Sequence, residues 1–155
     1  MTASDVLLAA AHAALVVVSL ILIRIDIGEH RLPDTIVLPA AIGLAAALGL
    51  VAALAGDTAP LGRAALGGIA LFGLYLLLRL AFPAGLGGGD VKLAALLGML
   101  LGWHGWADLA AGALAAFVLG GVHAAALLAT GRASRDAHIA FGPWMILGAW
   151  AGLLA

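Results

Sequence analysis

Four of the eight acidic residues, Asp26, Glu29, Asp34 and Asp90, stand where a long apolar stretch ends or begins. Two carboxylates held close together share their titration, so that one keeps a proton while the other ionises. The ionised group takes a proton from water, and the protonated one gives its proton to a carbonyl oxygen or a leaving amine. That chemistry hydrolyses a peptide bond with no metal, no cofactor and no side-chain nucleophile. Other chemistries have less to stand on. The chain has no cysteine, which removes a disulfide framework, a thiolate zinc site and a thiol nucleophile together. His30 and His138 lack a second paired ligand at recognisable spacing and read as loop histidines rather than metal ligands. Gly87-Gly88-Gly89 lacks the spacing and the Lys-Ser/Thr of a phosphate-binding loop. A flexible loop that lets an extended substrate backbone lie close to Asp90 accounts for those glycines better.

Each acid also has a structural reading. Asp90 follows three glycines and precedes an apolar run, the setting of a helix N-cap. Asp34, after Pro33 and before Thr35-Ile36-Val37, is a still better N-cap candidate. Asp26 closes the first apolar run, where a negative charge opposes the helix macrodipole, so a purely structural role explains it poorly. Asp5, Asp57 and Asp108 lie near the opposite ends of the runs, where capping or contact with water accounts for them.

The elements that must carry these acids are helices in a membrane. Of the 155 residues 65% are apolar and 10% charged, against roughly 45–50% and about 25% in soluble domains. Residues 6–23, 35–56, 61–82, 93–107, 109–131 and 137–155 form six runs near the ~20 residues that span the hydrocarbon core. The third run needs Arg79 to extend its guanidinium to the interface. All are too uniformly apolar for alternating barrel strands. Gly28, Pro33, Gly56, Pro60, Pro83 and Gly85 punctuate the loops. The N-terminus lacks the positive region of a secretory signal, so the first run is expected to remain as a helix. With no internal repeat, residues 1–155 read as one domain. Gly98-Met99-Leu100-Leu101-Gly102 presents the small surface that lets helices approach closely.

Six spans put loops one, three and five on one side. Six of the seven basic residues, Arg24, Arg31, Arg79, Lys92, Arg132 and Arg135, fall there, and only Arg63 falls opposite. The positive-inside rule then makes that side cytoplasmic and both termini non-cytoplasmic. The four acids near the run ends share this face, which brings Asp26 and Asp90 to similar depth. Trp103 and Trp106 suit either an interfacial belt or core packing. His12 and His123, the ionisable residues well inside runs, suit buried packing or hydrogen bonding. The net charge of −1 offers no basic field for phosphates, so nucleic acid is not an expected partner.

Three segments resemble the prepilin leader peptidases, GxGD-type membrane aspartyl proteases that process type IV pilin and type II secretion pseudopilin precursors. Asp26 through Leu32-Pro33-Asp34, with Leu38-Pro39 beyond, is similar to the family's Asp, variable loop, Leu-Pro-Asp and following Leu-Pro. Gly87-Gly88-Gly89-Asp90-Val91-Lys92-Leu93 fits GxGD and its Lys-Leu continuation. Phe141-Gly142-Pro143 resembles the family's Phe-Gly-Pro before the last helix. The resemblance implies Asp26 and Asp90 as the catalytic pair, with Pro33, Asp34, Gly87, Gly89 and Lys92 as motif support and no cofactor. It implies a multi-pass protein of the bacterial inner membrane whose active site faces the cytoplasm. The partner it implies is a prepilin or pseudopilin precursor, cut after a short basic leader that acidic Glu29 would attract. Many members carry an N-terminal extension with paired CxxC motifs that accompanies methylation of the new pilin N-terminus. The present chain begins almost at its first span, so the expectation is the shorter, peptidase-only form. A small transporter would stagger ionisable groups through the membrane, and a structural subunit would tolerate replacement of Asp26 and Asp90.

Overall fold

A computed structural model describes residues 2–83, 85–131 and 140–155. The described residues form helices α1 (Ala3–Glu29), α2 (Asp34–Ala55), α3 (Ala59–Ala81), α4 (Gly88–His104), α5 (Trp106–Ala129) and α6 (Gly142–Gly152). Four of them, α1, α2, α3 and α5, are long and apolar enough to cross a membrane. Large apolar side chains such as Ile42, Ile69, Leu77, Leu114 and Val122 remain on the outer surface. In water such a surface would drive association, whereas lipid chains solvate it.

The helix ends depart from the apolar runs where backbone preference outweighs hydropathy. α1 continues past residue 23 through Arg24 and Asp26 to Glu29. It stops because His30 adopts the left-handed conformation (φ 51°) and its N–H returns to the Asp26 carbonyl. The fourth run, expected to reach residue 107, breaks at Gly105, whose backbone is extended (φ 177°, ψ 167°). Trp106 therefore opens α5. Trp103 is 8% exposed and packs in the core, while Trp106 is 50% exposed. The sixth run yields a helix of 11 residues, Gly142–Gly152. Residues 132–139, with Arg132, Arg135 and His138, lie outside the described residues.

α4 is the central element. Val91, Leu93, Ala94, Leu96, Leu97, Leu100 and Leu101 point in every direction around it and all are buried, as expected for a helix surrounded by others. Close approach comes from glycine, as the sequence predicts for Gly98 and Gly102. A Cβ at Gly98 would lie 2.4 Å from the Gly67 carbonyl oxygen of α3, and one at Gly102 would lie 2.6 Å from that of Arg63. α5 and α6 meet similarly, with a Cβ at Gly148 falling 2.4 Å from the Ala116 nitrogen. These contacts seat α4 on α3 and α6 on α5, and the start of α4, the end of α1 and the start of α6 lie at one end of the bundle.

Candidate active site

Asp26 lies on the last turn of α1 and Asp90 is the third residue of α4, and they are 4% and 8% exposed. Both line one cavity of about 410 Å³, together with His30, Arg79, Pro83, Gly85, Leu86, Gly87, Ala140 and Phe141. The two carboxylates, remote in sequence, thus face one shared space large enough for water and a length of peptide.

Each is held by a backbone donor at the start of a helix. Asp26 Oδ2 accepts the buried Gly142 N–H at 3.0 Å. Gly142 is the first residue of α6, and Phe141, at its N-cap, makes no side-chain capping bond. The Asp26 charge, unfavourable at the end of its own helix, therefore meets the positive end of α6. Asp90 Oδ2 accepts the Gly87 N–H at 2.8 Å. Asp90 is thus not the N-cap of α4: Gly87 holds that position and Asp90 bonds back to it from N3, one half of a capping box. Neither Oδ1 takes a hydrogen bond from the described residues.

Asp90 lies ahead of the apolar stretch that begins at Leu93. Burial pushes its carboxyl up to about 6. The Gly87 N–H opposes that rise, the Asp26 charge reinforces it, and the Arg79 guanidinium opposes it. A pair in this setting holds one proton over a range in which free carboxyls hold none.

The remaining expected residues support the loops. Pro33, extended at φ −71° and ψ 131°, is the N-cap of α2. Asp34 is therefore the first helical residue rather than the cap, and its carboxylate binds Lys92 Nζ at 2.5 Å, tying α2 to α4. Glu29 pairs with Arg31 at 2.8 Å, with both side chains exposed, so its charge is already answered. Gly89 allows contact with the first loop, since a Cβ there would lie 2.7 Å from the Leu32 Cβ. A Cβ at Gly88 would lie 2.0 Å from Arg79 Nη1. Close packing against Leu32 thus accounts for Gly89, whereas Gly88 meets only the end of the exposed Arg79 side chain.

Arg79, which the sequence presents as an interfacial anchor, and His30, which it presents as a loop histidine, both line the cavity. A signal existed for Arg79, four residues after Tyr75 on the same helix face. Tyr75 is buried and stacks with Phe117 at 5.6 Å. The two histidines inside runs behave as packing groups. His123 packs at a tilt against Trp144, with ring centroids 4.8 Å apart. At the far end of the bundle His12 donates from Nδ1 to the Leu8 carbonyl, and its Nε2 lies 2.9 Å from His104 Nε2.

A model of the type IV leader peptidase family matches residues 5–129. The chain belongs to that family. It is 36% identical over 131 residues to the prepilin leader peptidase/N-methyltransferase of Stutzerimonas stutzeri. The protein of that name from Pseudomonas aeruginosa is 35% identical over 131 residues, and that from Aeromonas salmonicida 34% over 135. Each match covers 84% of this chain and 44% of the relative, so the chain spans less than half the length of these curated relatives. No solved structure matches it. The family match includes both cavity acids, whereas Gly142, which binds Asp26, lies beyond residue 129.

Proposed function

We propose that this chain is a membrane aspartyl endopeptidase that removes leaders from prepilin or pseudopilin precursors. The observation that carries the reading is that two buried carboxylates from α1 and α4, both inside the family match, line one cavity. The relatives' name couples two activities, and the cavity supports the peptidase. In the proposed reaction Asp26 and Asp90 hold one water between them. Asp90, whose carboxyl burial pushes up to about 6, gives its proton to the scissile carbonyl oxygen. Asp26 takes a proton from the water as that oxygen bonds to the carbonyl carbon. Collapse breaks the C–N bond, the amine leaves with the proton carried by Asp26, and one hydroxyl of the intermediate returns its proton to Asp90 as the new carboxyl group forms.

The cavity opens at the end of the bundle where Arg24, Arg31, Arg79 and Lys92 lie, so the charge bias makes that end cytoplasmic and both termini external. In this reading α1, α2, α3 and α5 span the membrane by length, and α4 and α6, sheltered among them, complete their crossings with the residues that flank them. Residues 1–155 act as one domain. The leader remains in water while the apolar segment that follows lies in the bilayer. A transporter is less well supported, because the acids gather at one face instead of lining a path.

The test is cleavage of a co-expressed prepilin in membranes, read as a mobility shift. Asp26→Asn and Asp90→Asn should each abolish cleavage while the protein stays in the membrane. Substantial activity in either would refute the pair. Uncut precursor with the unaltered chain, across several prepilins, would refute the activity itself.

A further inference from the structure

The stretch Phe141-Gly142 links three separate constraints to one carboxylate. The Gly142 N–H is the donor to Asp26 Oδ2 at 3.0 Å. A Cβ on residue 142 would stand 2.6 Å from that same oxygen, inside any van der Waals contact. The neighbouring ring of Phe141 packs against both Tyr75 of α3 and Phe117 of α5, with centroids 6.2 and 5.7 Å away, and those two rings stack on each other. Beneath it, Gly120 of α5 has no side chain, and a Cβ there would fall 2.6 Å from Phe141 Cε2. The ring is thus seated on an absent side chain, and the backbone N–H that follows it points into a carboxylate.

Resting on the peptidase reading above, we propose that Gly142 is a positioning residue for the hydrolysis and that Gly120, through Phe141, sets where it stands. The bond to Oδ2 fixes the carboxylate rotamer of Asp26 and leaves Oδ1 for the water. A backbone donor suits this work because it has no rotamers of its own, and the aromatic seat transmits the placement from α3 and α5. Glycine at 142 is a requirement of the carboxylate rather than of backbone conformation. A shift of the order of 1 Å at a reacting group lowers a rate about 100-fold, so small changes at either glycine should be read in turnover.

The experiment measures kcat and KM of the purified chain in detergent on a peptide covering a prepilin cleavage site. Gly142→Ala should lower kcat about 100-fold with KM within about threefold of the unaltered chain. Gly120→Ala should lower kcat about tenfold by displacing the ring, and Gly120→Ala with Phe141→Leu, which returns the volume, should recover most of that loss. Gly121→Ala, one residue along α5 with nothing near its Cβ, should leave both constants unchanged. The inference falls if Gly142→Ala keeps kcat within threefold, if the losses appear in KM alone, or if Phe141→Leu fails to rescue Gly120→Ala. Should Gly142→Ala not fold, the Gly120 pair and its rescue decide. If Asp26→Asn cleaves normally the peptidase reading fails instead, and the two failures are told apart by that variant.

Discussion

At the scale of single residues, two acids share the same device. Asp26 and Asp90 each give one oxygen to a backbone N–H at a helix start, and each faces the same cavity. Asp90 has its carboxyl raised to about 6, chiefly by burial. A raised carboxyl keeps its proton below the folded value and loses it as pH climbs through it. kcat/KM should therefore fall as pH rises through about 6 and beyond, with the apparent midpoint belonging to the pair. Arg79→Gln removes a charge that favours the Asp90 anion and should move that limb to higher pH. A pH–rate profile of both proteins checks this. The same shift bears on stability. Between 3.8 and about 6 the folded state binds more protons at Asp90 than the unfolded chain, so stability falls with rising pH across that window. Asp90→Asn should thus raise the unfolding free energy in detergent at pH 7.5 by on the order of 2 kcal/mol, seen as a higher midpoint, while abolishing cleavage. Glu29→Gln should leave cleavage within twofold, because Glu29 is exposed and already paired with Arg31.

At the scale of elements, glycine placement decides which helices touch. α3 and α4 meet where Gly98 and Gly102 of α4 lie against the backbone of α3 and Gly68 of α3 receives the Met99 side chain. In Gly98→Ala the added methyl would meet the Gly67 carbonyl, which cannot move aside without moving α3. It should destabilise the protein by about 1–3 kcal/mol and lower activity by displacing the start of α4. Gly43→Ala in α2, with nothing near its Cβ, should be neutral or stabilise by up to about 1 kcal/mol. Thermal unfolding of the two variants separates packing from propensity. Elements were legible wherever composition governed them. The existence and order of six helices followed from apolar runs and breakers. Their ends did not, because α1 stops at a left-handed histidine and α4 at an extended glycine, features that hydropathy does not encode.

At the scale of the whole molecule, few charges carry the topology. In the proposed orientation Glu29 lies inside and Thr58 outside. The chain has no cysteine, so single introduced thiols report on sidedness without background. A membrane-impermeant maleimide should label Thr58→Cys in intact spheroplasts and Glu29→Cys only after permeabilisation. The opposite pattern would invert the orientation and place the cavity outside. The cavity also explains why so apolar a chain keeps carboxylates at all: an acid withdrawn from water persists only where donors and a partner charge receive it.

The sequence by itself determined the membrane class and the order of the six described helices, and its resemblance to the leader peptidases singled out Asp26 and Asp90 from four clustered acids. Class and helices were legible because burial in lipid makes each ionisable residue expensive and each apolar run long, and both are written in composition. Only the tertiary structure decided that Asp26 and Asp90 line one cavity, that Asp34 and Glu29 are engaged by Lys92 and Arg31, and that Arg79 and Gly142 belong to the site. Those facts depend on how close helices come and where their ends point. Both are set by contacts between residues distant in the chain, and no local pattern contains them.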